Sequence, residues 1–211
     1  MKRILVSILA STVLFGSSVA LADNNHGRYK NHPHYNHKDV RAFFECAWTP
    51  AVHFDGTITD AVVATAGGEN PEFTTLLTAV LAAGLEGVLA GEGPFTVYAP
   101  TDAAFAAVPG PLLDLLLSDP QGLLTSVLAY HVVTEKSKRT DPRRVYRNAN
   151  EVETFNGQSV FLSRNQDPMV NSSSAACTPV KTSNGVIYVI DSVLLPQFLQ
   201  PEIEPQPMGS H

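Results

Sequence analysis

The chain has 211 residues, 44% of them hydrophobic and 16% charged, with a formal net charge of −6 and an isoelectric point near 5.6. So little charge at that hydrophobic content excludes wholesale disorder, and a chain of this length can bury a core of its own. Two cysteines exclude a disulfide-dense mini-protein, a four-cysteine zinc site and an iron–sulfur cluster, and the acidic balance argues against a general nucleic-acid binder.

Residues 1–22 read as a secretory signal. Lys2 and Arg3 supply the positive start, an apolar run from Ile4 to Phe15 follows, and Ala20-Leu21-Ala22 is a small-x-small cleavage site that sets the mature start at Asp23. The apolar run is too short for a confident membrane span of about 20 residues. Residues 23–38 are polar and carry His26, His32, His34 and His37 with no apolar period, which predicts a flexible segment. Residues 201–211 hold Pro201, Pro205 and Pro207 and form a second flexible tail.

The predicted helices come first. Residues 57–66 place Ile58, Ala61, Val62 and Thr65 on one face. Asn70-Pro71 reads as an N-cap with proline at the first helical position; Phe73, Leu76, Leu77, Val80 and Leu81 form the stripe that follows, and Gly84 ends it. Residues 111–117 and 120–130 form two more helices, parted by the Ser118-Asp119 cap. A short strand is predicted at 95–99. From Glu151 the period shifts towards 2, and Asn156-Gly157 and Asn184-Gly185 predict hairpins joining 152–155 to 159–162 and 177–182 to 186–190. Helices early and hairpins late indicate an α+β domain.

Export makes Cys46 and Cys177 a candidate disulfide, favoured over two buried thiols or a bridge between chains. Charge is unevenly spread. No Lys or Arg occurs from Ala42 through Glu135, whereas Lys136, Lys138, Arg139, Arg143, Arg144 and Arg147 crowd around Asp141.

Three stretches carry a resemblance. Gly93-Pro94-Phe95-Thr96-Val97-Tyr98-Ala99-Pro100-Thr101-Asp102-Ala103-Ala104-Phe105 resembles the first conserved motif of fasciclin (FAS1) domains. Leu128-Ala129-Tyr130-His131-Val132-Val133 resembles the family's central tyrosine–histidine motif, and the stretch from Asn184 to Pro196 its second end motif. The resemblance implies a twisted β-wedge packed against a bundle of short helices, with the domain at 39–200. It also implies a secreted adhesion module without catalytic activity or cofactor, whose partner is a protein or an acidic polysaccharide of the cell surface or matrix. A monomer with weak self-association at most is expected, in the periplasm, on the cell surface or in the medium. The acidic-Asp-Ile peptides of animal members are absent, because Ile190 precedes Asp191.

Each candidate site residue also has a structural reading. Thr101 suits an N-cap, and Asp102 sits in a first turn where the helix dipole favours a carboxylate. His131 follows Leu124, Val127 and Leu128 on a buried helical face, where a lone histidine is more often hydrogen-bonded core than base. Tyr130 is a candidate exposed aromatic anchor. Asp191 caps a turn or accepts a hydrogen bond from the first motif. Arg143 and Arg144 suit bidentate contact with an acidic polymer, against the alternative of a solvated loop. The four N-terminal histidines offer imidazoles for zinc, copper or nickel, which makes a metal-binding protein the alternative function. No Gly-x-Ser-x-Gly, His-Glu-x-x-His or glycine-rich phosphate loop is present.

Overall fold

The computed structural model describes Cys46 and residues 49–68, 71–135, 139–145, 150–164 and 168–199. The expected signal, the four N-terminal histidines, the C-terminal tail and Asn70, Lys136, Lys138 and Arg147 lie outside the described residues.

Helix α1 (Ile58–Ala66) starts where the sequence asks for it. The Thr57 hydroxyl accepts from the Asp60 amide, and the Asp60 carboxylate accepts in return from the Thr57 amide, a reciprocal capping box. Helix α2 (Thr74–Ala82) begins three residues after Pro71, which is not at the first helical position as expected, because Phe73 takes the N-cap position. Phe73, Leu76 and Val80 turn inwards, but Leu81 is 55% exposed, against expectation. Eight residues on from Phe73 a helix has rotated about 80° past the buried line, which carries Leu81 over the edge of the stripe. Gly84, at φ +67°, ends this segment in the left-handed conformation that glycine tolerates.

A short helix α3 (Glu86–Ala90) was not expected from the sequence. Strand β2 (Phe95–Pro100) runs into α4 (Asp102–Ala106), then α5 (Gly110–Ser118). The next helical run begins as a π-turn (Pro120–Leu124) and continues as α6 (Thr125–Tyr130). The Asp119 carboxylate caps it by accepting from the amides of Gly122 and Leu123, and the chain bends by 98° between α5 and this run. Among the described residues no single helix is long and apolar enough to cross a membrane.

Two sheets complete the α+β architecture. β1 (Val52–His53), β8 (Val180–Lys181), β9 (Gly185–Ile190), β2 and β3 (Val132–Val133) form one, in that order. β4 (Asn150–Glu153), β5 (Ser159–Arg164), β6 (Pro168–Val170) and β7 (Ser173–Ser174) form an antiparallel second. At the centre of the first, β2 and β9 run parallel in register from Phe95 opposite Gly185 to Pro100 opposite Ile190.

Both central strands are buried on both faces, and their period of two sorts side chains between two cores. Phe95, Val97, Ala99 and Ile187 pack with the helices. Tyr98, Val186, Tyr188 and Ile190 pack with Val152, Val160, Leu162 and Val170 of the second sheet. A Cβ on Gly185 would run into the Phe95 carbonyl and the Ile58 side chain, so glycine here serves the close approach of backbones.

The β4–β5 hairpin forms as predicted, with Gly157 at φ +83° in its turn. The later hairpin is shorter than predicted, because only Val180–Lys181 pairs with β9. Cys177 is instead bonded to Cys46, closing a loop across 131 positions, and its carbonyl is taken by Arg143.

Candidate functional site

Parallel pairing means that β2 and β9 leave the sheet at the same end. The segment 101–102 departs from one strand and 191–194 from the other, and β3 brings His131 opposite Tyr98, whose amide donates to the His131 carbonyl at 2.9 Å. The end of the first motif, the histidine and the exit of the last motif thus converge.

Thr101 caps α4, accepting from the Ala104 amide at 3.2 Å. Asp102 has a longer reach than the sequence suggests. Its carboxylate accepts from the Thr74 amide (3.1 Å), the Thr74 hydroxyl (2.6 Å) and the Thr75 amide (2.7 Å), while its own amide donates to the Glu72 carbonyl. It therefore caps α2, a different helix, where Phe73 at the N-cap position makes no side-chain hydrogen bond. Burial opposes ionisation of Asp102, but the Thr74 and Thr75 donors outweigh it and hold the carboxyl below its usual range.

His131 is 3% exposed. Its Nε2 lies 2.9 Å from the Leu194 amide, a donor only, so Nε2 is unprotonated and the neutral ring carries its proton on Nδ1. Nδ1 donates to the Val127 carbonyl at 2.7 Å. Burial lowers the pKa from 6.5 to about 4, against the modest opposing effect of the Val127 bond. With both nitrogens committed, the ring ties α6 to the exit of the last motif.

Tyr130 corrects the expectation of an exposed anchor. It is 2% exposed, donates to the Ser159 carbonyl and accepts from Asn171 Nδ2. A tyrosine next to a buried histidine finds a second core here, because the small sheet packs on that side of α6. Asp191 accepts from the hydroxyls of Ser173 and Ser192 and the amide of Ser174. It joins β7 to the β9 exit and takes no bond from the first motif.

The basic cluster divides. Arg143 is 6% exposed and belongs to the interior, contrary to its assignment to a polymer-binding surface. It meets Asp141 through Nε (3.0 Å) and NH2 (2.9 Å), and its NH1 donates to the carbonyls of Thr49 and Cys177. Its guanidinium also stands 5.7 Å from the Tyr188 ring centre. Burial disfavours the cation, but the Asp141 carboxylate more than compensates and raises the Arg143 pKa. Arg144, by contrast, keeps 38% of its side chain exposed while reaching the same carboxylate.

Sequence reasoning missed Asn184 as an anchor. Its Oδ1 accepts from the Ile58 amide, and its Nδ2 donates to the carbonyls of Leu89 and Gly91, so it pins α1 and α3 to the start of β9. The Asn-Gly pair was the only local signal, and it reads as a turn. Among the described residues no cluster of histidine, cysteine or acidic side chains suits a metal ion. Beside the convergence point, a cavity of about 320 Å³ opens between α2, α5 and α6, with His131 and Val193 in its wall.

A match to the fasciclin domain family covers residues 71–196, more than half of the chain, and the chain belongs to this family. It is 41% identical over 137 residues to Protein sll1483 of Synechocystis sp., covering 64% of this chain and 73% of that protein. It is 38% identical to the immunogenic protein MPB70 of Mycobacterium bovis over 140 residues, 64% of this chain and 68% of the relative. Cell surface glycolipoprotein MPB83 of the same species is 36% identical over 140 residues, covering 60% of its length. Of solved structures, the domain pair from the insect cell adhesion molecule Fasciclin I aligns with TM-score 0.47 and 16% identity, over 60% of this chain and 46% of that one.

Arg143→Ala removes the two-pronged, buried partner of Asp141 and leaves its carboxylate with the partly exposed Arg144, which should lower unfolding free energy by about 3 kcal/mol, whereas Arg144→Ala should cost about 1 kcal/mol or less; denaturant titration of both distinguishes them. His131 has a folded pKa below its unfolded value, so its contribution is complete above pH 6.5 and declines as pH falls towards 4. Between pH 7 and 4.5 the protein should lose about 2–3 kcal/mol of stability, a loss that His131→Gln largely removes.

Proposed function

We propose that this protein is an exported, non-catalytic adhesion module that binds an extracellular protein through its β4–β5 hairpin. The observation that carries the reading is the placement of its exposed phenylalanines. Among the described residues Phe155, Phe161 and Phe198 are the ones about half exposed, at 51%, 46% and 53%. Phe155 sits in the hairpin turn, and Phe161 lies on the outward face of β5, opposite Glu151. Phe198 follows Gln197, whose amide donates to Gln158 Oε1 of the same turn. Stranded aromatic side chains of this kind are the usual anchors of protein interfaces.

The charge around the hairpin narrows the partner. Glu151 and Glu153 are exposed on the outward side of β4, which disfavours an acidic polysaccharide on this face. With Arg143 withdrawn into the interior, the reading moves from a polyanion to a protein. The polar residues of the three motifs support a non-catalytic role, since His131, Asp102 and Asp191 are each engaged in bonds that hold backbone segments together. The name of the mycobacterial surface glycolipoprotein and the signal-like start of the chain both support secretion or surface display.

The test uses labelled protein applied to washed cells and envelope fractions of the source organism. Wild type should be retained, the double variant Phe155→Ser, Phe161→Ser should lose at least about tenfold in apparent affinity, and Arg144→Ala should bind like wild type. Equal retention of the double variant contradicts the assignment.

A further inference from the structure

The cavity beside His131 has no part in the hairpin surface and carries a separate reading. It arises where α5 and the run from Pro120 to Tyr130 diverge by 98°. The π-turn Pro120–Leu124 lies at this corner and brings the buried Leu124 to the cavity wall. This space of about 320 Å³ is a cleft open to solvent past Thr74, Thr78 and Leu117, and its size falls in the range of small-molecule sites.

The chemistry of the lining selects the ligand. Leu116, Leu124, Val127 and Leu128, all buried, with Phe105 make an aliphatic and aromatic wall. His131 offers no polar atom, because Nδ1 and Nε2 are both taken, so ordered water lacks the two to four partners it needs there. Polarity is confined to one lip, where α2 presents Thr74, Thr75 and Thr78. The hydroxyls of Thr74 and Thr78 donate to Asp102 and to the Thr74 carbonyl, and each oxygen keeps acceptor capacity.

Charge decides the head group. No cationic side chain lines the cavity, and every lining residue except Val193 falls in the stretch from Ala42 to Glu135 that contains no Lys or Arg. The charge at the lip is the Asp102 carboxylate, bound to Thr74 and Thr75. A carboxylate or phosphate head would sit beside this anion unpaired, and an ammonium head would meet a carboxylate already accepting from three donors, whereas a hydroxyl can donate to a threonine oxygen. We propose that the cavity is a binding site for a neutral, slender amphiphile, an alkyl alcohol in chemical class, with its chain against Leu116, Leu124 and Val127 and its hydroxyl at the threonine lip.

Calorimetric titration of the full chain with decanol and with decanoate at pH 7 tests this directly. Decanol should bind saturably and raise the melting temperature, and decanoate should bind at least about tenfold more weakly. Thr78→Trp, at an exposed lip position, should obstruct the mouth and abolish decanol binding; Leu117→Glu, at a lining residue that is 51% exposed, should weaken it by placing an anion there. Both lie outside the core, and their unliganded melting temperatures check that the fold survives. No saturable decanol binding, equal or tighter binding of decanoate, or binding untouched by both variants overturns the proposal. A dimer that Leu117→Glu dissociates, with no uptake of decanol, also overturns it by assigning the face to a second copy.

Discussion

The parallel pairing of β2 with β9 is the constraint on which the rest of the structure depends. Six residue pairs in register, buried on both faces, give each strand two duties at once. Alternate side chains enter the helical core and the small-sheet core, so one pair of strands joins two hydrophobic clusters that sequence-local forces alone would leave apart. A slip of one residue would send Tyr98 and Tyr188 among the helices and Val97 and Ile187 towards the small sheet, exchanging every partner.

The same pairing explains why polar residues of three separate motifs meet. Parallel strands leave the sheet in one direction, so Asp102 and the segment around Leu194 depart together, and the antiparallel β3 delivers His131 between them. Each polar group then fastens a piece of backbone at the end of a helix or strand or in a loop. Asp102 serves the amides at the start of α2, His131 the Leu194 amide, Asp191 the Ser174 amide. At the buried Leu194 amide an unsatisfied donor would cost about 1–3 kcal/mol, and at the helix start the Asp102 cap is worth about 1 kcal/mol, which is reason enough for these residue types without invoking a reaction.

Local patterns in the sequence marked much of this. The Thr57 cap, the α2 stripe up to Val80 and the β4–β5 turn at Asn156-Gly157 each depend on neighbours within a few positions, and all form. With two cysteines in the chain, one intramolecular pairing was available, and it is the one observed. The parts that were not legible depend on partners far along the chain. Asp102 reads as a first-turn acid of its own helix, yet it caps a helix 28 residues earlier. Arg143 reads as one of a basic run, yet Thr49, Asp141 and Cys177 enclose it. Tyr130 reads as free because nothing near it in sequence shows that Ser159 and Asn171 will cover it. The exposed phenylalanines of the hairpin were equally silent, since burial of a strand face is decided by the packing of the whole sheet.

The motif histidine is a structural bridge, neutral and occupied at both nitrogens. Nitrogen-15 NMR of the His131 ring at pH 6 measures this most directly. The protonated-Nδ1 tautomer, with a through-hydrogen-bond coupling between Nε2 and the Leu194 amide nitrogen, is the predicted result. An imidazolium, or an Nε2-protonated ring in exchange with solvent, would contradict it.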